Sequence, residues 1–180
     1  MLAKRFARDA LIVAAGWVVW RAVDSWSVQS GGLAATATAI PVAIVLSVVW
    51  GYLAHEWGHL AGAKISGGGV RVHGLRSFPV FTFDTQGSSR TQFQVMGWGG
   101  NLAPWCVLAL LLALVPSDAP ARIALIAAVV GGTLFTNLVE VPVLLRVARG
   151  GTIDVRQPGS RYLVNALTAL AVTLLVAFVL

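Results

Sequence analysis

The chain contains one cysteine, Cys106, and so has no intrachain disulfide framework and no cysteine-built metal site. Any metal would have to be held by histidines and carboxylates. Charge is scarce too. Asp, Glu, Lys and Arg make up 11% of the residues against 57% hydrophobic ones, whereas an ordinary globular domain is about 25% charged. That excludes a soluble domain and makes the lipid bilayer the first partner. Thirteen Lys and Arg against seven Asp and Glu give a formal charge of +6. The bases stand between apolar runs, with no basic face interleaved with aromatics, so no nucleic-acid partner is expected. No internal repeat is visible, which argues against a transporter assembled from paired half-repeats.

A membrane span needs about 20 mostly apolar residues, so 180 residues hold four or five spans and nothing else. The apolar runs predict a single transmembrane domain over 1–180, an all-α membrane bundle of about five helices with spans near 10–28, 36–63, 98–115, 122–146 and 162–180. Lys4, Arg5 and Arg8 before the first run resemble the front of a signal peptide. Ala35-Thr36-Ala37 mimics a cleavage site but leads straight into the next apolar stretch, which favours an uncleaved first span that Arg21 and Asp24 cut short. Gly67 to Gly69 end the second run. Beyond them Val70-Arg71-Val72 and Val80 to Asp84 alternate like short strands, with Thr91 to Met96 a weaker third, so a small hairpin or sheet is expected between the second and third spans. Placing the N-terminus in the cytoplasm leaves only Arg21 and Arg122 of the thirteen basic residues outside, as the positive-inside rule requires. The expected protein is multi-pass, in a bacterial inner membrane. Trp17, Trp20 and Trp26 read as interfacial anchors rather than a cofactor box.

Within the second run stands His55-Glu56-Trp57-Gly58-His59. Residues four apart share a helix face, so the two imidazoles can address one metal with Glu56 beside them. This is the set that zinc hydrolysis uses: two neutral imidazoles and a carboxylate as ligands, an open position for water, and an unligated carboxylate, here Glu56, as general base. The pentapeptide ends five residues before Lys64, roughly 7 Å along a helix, which puts it inside the bilayer near the cytoplasmic face. Even a lenient insertion scale sets about 2.5–3.5 kcal/mol against a charged group at mid-bilayer, so such residues mark function by default. His73, in the hairpin region, reads as a surface residue.

These residues resemble the site-two protease family of intramembrane zinc metalloproteases, with a His-Glu-x-x-His helix near the cytoplasmic end of a span followed by short strands. Gly97-Trp98-Gly99-Gly100-Asn101 is similar to the family's glycine-rich segment ending in asparagine, and Asn137-Leu138 to its Asn-Leu motif, so that the resemblance covers about 46–154. It implies a zinc cofactor and hydrolysis of peptide bonds in membrane-embedded or juxtamembrane protein or peptide substrates. The Asp-Gly pair that usually brings the family's third ligand shortly after Asn-Leu does not occur here. Two carboxylates compete for the role. Glu140 lies at the depth of His55 and His59, and Pro142 frees the carbonyl of Leu138 beside it, backbone of a kind tolerated where it lines a cavity. Asp154, in Gly150-Gly151-Thr152-Ile153-Asp154, better resembles the family's late position but lies beyond the basic end of the span. Depth favours Glu140. Asn101 and Asn137 could donate to a substrate backbone or an oxyanion, or join helices. The edge of the small sheet could hold a substrate extended by strand addition. The alternative is a catalytically silent metal-binding membrane scaffold; the presence of Glu56 speaks against it, since a structural site has no use for a base beside its ligands.

Overall fold

In lipid every backbone N–H and C=O must be satisfied within the protein, and runs rich in Ala, Leu and Val meet that demand as helices. The computed structural model describes residues 1–77, 79–153 and 159–180. Its elements are α1 (Leu2–Ser30), α2 (Leu33–Ile65), β1 (Val70–Val72), β2 (Phe81–Phe83), α3 (Arg90–Leu114), α4 (Pro120–Ala148) and α5 (Gly159–Val179). Helix α2 is the centre of the bundle, packed by α1, α3 and α4, while α5 packs along α4. Among the described residues four helices, α2 to α5, are long and apolar enough to cross a membrane.

The first expected span, near 10–28, corresponds to α1. It has the length, but Arg5, Arg8 and Asp9 near one end and Arg21 and Asp24 near the other confine its apolar run, and it is not among those four. It lies antiparallel to α2 along most of its length. Gly31, with φ 59°, closes the helix through its amide on the Ser27 carbonyl, a left-handed cap that glycine adopts without a Cβ penalty, and the chain reverses at once into α2. Ser27 then meets Thr36 at 3.2 Å, Trp17 packs on Trp50, and Phe6 meets the edge of Trp57. Asp9, 3% exposed, accepts from Trp57 Nε1 and pairs with Arg5 and Arg8, and Asp24, also 3% exposed, takes Arg122 of α4. Removing one partner of a buried pair of this kind costs about 3–5 kcal/mol, so α1 is tied to the bundle at both ends.

Strands β1 and β2 form one antiparallel pair, with Val70 opposite Phe83 and Val72 opposite Phe81. The weaker third strand expected over Thr91 to Met96 is instead the first turns of α3. Ser89 accepts from the Gln92 amide while the Gln92 side chain accepts from the Ser89 amide, a capping box that starts a helix. The residues that segment buries, Phe93 and Met96, are three apart, which is the spacing of a helix face and not of a strand.

Two apolar clusters hold the bundle. One joins α1 to α4 around Trp20, Trp50, Leu111 and Leu125; the other gathers Ala63, Phe93, Leu144 and Val147 against Phe81 and Phe83 of the hairpin. Between them in the sequence of α2, α3 and α4 lie the polar residues of the next section. Long apolar side chains such as Leu110, Leu163, Leu167 and Leu174 face outward, as the lipid-facing surface of a membrane bundle requires.

Candidate metal centre

His55 and His59 are 7% and 9% exposed on the inner face of α2. Their Nδ1 atoms face backbone carbonyls of α3, His55 that of Gly100 at 3.0 Å and His59 that of Met96 at 2.9 Å. A carbonyl only accepts, so each Nδ1 must carry the hydrogen, and in the neutral imidazole the lone pair is then on Nε2. The two Nε2 atoms stand 3.0 Å apart, and Glu140 of α4 closes the triangle with Oε1 3.0 Å from His55 and Oε2 3.3 Å from His59. Three acceptors thus converge on one point.

Such a cluster repels itself unless a proton or a metal ion lies between its members, and its dimensions are close to those of a metal site. Tetrahedral zinc with bonds of about 2.0–2.2 Å sets its ligand atoms about 3.3–3.6 Å apart, a few tenths of an ångström wider than the 3.0–3.3 Å found here. Two imidazoles and a carboxylate are also a donor set suited to zinc, and the backbone carbonyls behind each Nδ1 fix tautomer and ring orientation as outer partners of a metal site do. The residues therefore fit the ion.

The precision of the centre comes from α3. Pro104 has no N–H to give to the carbonyl four residues back, that of Gly100, and His55 takes this carbonyl. Gly100 also lies against His59: a Cβ there would stand 2.2 Å from the His59 ring. The two helices approach backbone to backbone, since a Cβ on Gly58 would meet the Gly99 carbonyl at 2.4 Å. Asn101, 2% exposed, donates from Nδ2 to Glu140 Oε2 at 2.8 Å and to Gly97 O at 2.9 Å. Its nitrogen must face Glu140, because its oxygen would oppose a carboxylate. With its amide nitrogen directed at both acceptors, Asn101 orients the Glu140 carboxylate and joins α3 to α4.

Glu56 stands on α2 beside the two histidines in sequence, and its Oε2 accepts the backbone amide of Val80 at 2.9 Å, just before β2. The hairpin thus reaches over Glu56. Arg5 and Arg8 of α1 hold the connection between the strands by donating to the Gly74 and Leu75 carbonyls. Asn137 is on α4, three residues before Glu140, and its Oδ1 is buried with no hydrogen-bond partner among the described residues. The Leu138 carbonyl freed by Pro142 accepts from Asn165 of α5 at 3.3 Å, so this irregular backbone joins α4 to α5 rather than facing the histidines. Asp154 lies outside the described residues. His73 contacts Thr82 across the hairpin, away from the cluster. The residue least visible in the sequence was Pro104, although a proline there frees the Gly100 carbonyl that orients His55 just as Pro142 frees that of Leu138.

No family model matches this chain, and neither a curated protein nor a solved structure does.

Proposed function

We propose that the protein is an intramembrane zinc metalloprotease in which His55, His59 and Glu140 hold the ion and Glu56 is the general base. The observation that carries this is the convergence of three acceptor atoms at 3.0–3.3 Å, with a further carboxylate next to His55 in the chain and outside the triangle. A purely structural site would close its fourth position with another protein ligand. Among the described residues the group of possible ligands stops at three. Zinc, when bound, supplies a Lewis acid and lowers the pKa of its water to about 7.

The chain's own residues do the rest. Asn101 and the two α3 carbonyls keep the ligands oriented. The Val80 amide holds Glu56 by Oε2, leaving Oε1 to accept a proton from water and deliver it to the leaving amine. Position supports a substrate in or beside the bilayer, because the ligands lie in helices apolar enough to cross it. The motif resemblance to the site-two protease family points to the same reaction.

Glu56→Gln tests the assignment. The change keeps size and the Val80 contact while removing the base, so cleavage of a co-expressed single-span substrate should fall roughly 100-fold to 10,000-fold with zinc content unchanged. Comparable cleavage by both proteins would mean that Glu56 is not the base; zinc retention without dependence of function on Glu56 is the outcome a silent scaffold predicts.

A further inference from the structure

A cavity of about 560 Å³ opens between α2, α4 and α5, and His55 forms part of its wall. Its other walls include Ser47, Gly51, Gly132, Phe135 and Leu170. Its size is that of a ligand pocket rather than a packing defect.

The hydroxyl groups around it are nearly all engaged. Ser47 donates toward the Ala43 and Leu125 carbonyls, Thr136 to that of Thr133, and Thr173 to that of Ala169. The Thr133 side chain, 3% exposed, has no hydrogen-bond partner among the described residues. The cavity therefore presents an apolar surface with one buried hydroxyl in want of a partner. A charged side chain placed there would lose its water without replacement, whereas an apolar one would not.

Two glycines set its shape. Gly51 is one turn before His55, and Gly132 lies eight residues before Glu140. Unlike Gly58 and Gly100, neither is demanded by close packing: a Cβ on either would meet nothing within 4 Å. What they leave open is this cavity, next to a metal-site histidine.

We infer that the cavity is the subsite receiving a large apolar side chain adjacent to the scissile bond, so that the enzyme selects Leu or Phe over Ala or Asp at that position. The inference rests on the metalloprotease assignment above.

The test measures binding, not turnover. The zinc-loaded full chain in detergent is titrated with peptide hydroxamates that grip the metal and differ only in the adjacent side chain, Ala, Leu, Phe or Asp, with zinc-free protein as the control for micelle partitioning. The wild type should bind the Leu and Phe probes at least about 10-fold more tightly than the Ala probe, the discrimination an apolar pocket gives for added methylenes. Gly51→Leu and Gly132→Leu, made separately, should each retain zinc and Ala-probe affinity while losing that preference. Equal affinity for all four probes, or a preference that survives both substitutions, would overturn the subsite while leaving the metal assignment intact. A chain that takes up no zinc and binds no probe would overturn the metalloprotease assignment, and the subsite with it.

Discussion

Both imidazoles are constrained from two sides, by a backbone carbonyl behind Nδ1 and by the Glu140 carboxylate before Nε2. Glu140 in turn is held by Asn101. Loss of an outer partner of this kind typically lowers metal affinity about 10-fold to 100-fold, and Asn101→Ala should do so here, read by competition against a fluorescent zinc chelator. Asn137→Ala should leave the affinity unchanged, because Asn137 makes no contact with the triangle among the described hydrogen bonds. Equal affinities for wild type and Asn101→Ala would remove Asn101 from the support of the centre. The histidine pair and Glu56 were legible in the sequence because the spacing of four is a local property of one helix. The role of Asn101 was not, since only the packing of α3 against α4 shows that its amide meets Glu140.

At the scale of the element, α3 does more than span. Its capping box fixes where it begins, its glycines allow α2 to approach, and Pro104 leaves the Gly100 carbonyl open for His55. Pro104→Ala would restore a backbone N–H that competes for this carbonyl. The helix itself should gain from losing a proline, worth up to about 3 kcal/mol in a helix interior, while zinc affinity should drop by about 10-fold as His55 loses its outer partner. Thermal unfolding and zinc titration on the same variant separate the two effects. A variant with undiminished zinc affinity would show that His55 needs no such anchor. The strand expected at Thr91 to Met96 failed for a related reason. Alternation over six residues is a weak pattern, and the buried pair Phe93 and Met96 shows its helical spacing only once the face against Ala63 and Leu144 is known.

Across the whole molecule, charge is sorted by end. Arg5 and Arg8 reach the Gly74 and Leu75 carbonyls and Arg90 that of Gly150, gathering the hairpin, the start of α1 and the end of α4 together; Arg122 with Asp24 and Asp118 marks the opposite end. If the richly basic end is cytoplasmic, as the positive-inside rule favours, reporter fusions at Gly68 and Asp118 should report the inside and the outside respectively. The reverse assignment would put the candidate metal centre near the outer face, and two fusions on one side would mean that α3, the helix between them, does not cross.

The sequence by itself determined what is local or compositional: a multi-pass helical bundle, the breaks between its helices, the hairpin after Gly67 to Gly69, and two histidines with a glutamate at helical spacing. Bilayer physics makes these readable, because long apolar runs have few alternatives to helix and buried ionisable residues few reasons to be there. The tertiary structure decided which distant groups meet. It brought Glu140 to within 3.3 Å of both histidines from 85 and 81 residues away along the chain, turned Asn101 onto that carboxylate, laid the Val80 amide on Glu56 and left a cavity beside His55. Those contacts depend on how closely and at what rotation α2, α3 and α4 pack, and helix periodicity within one segment carries no information about the rotation of its neighbours.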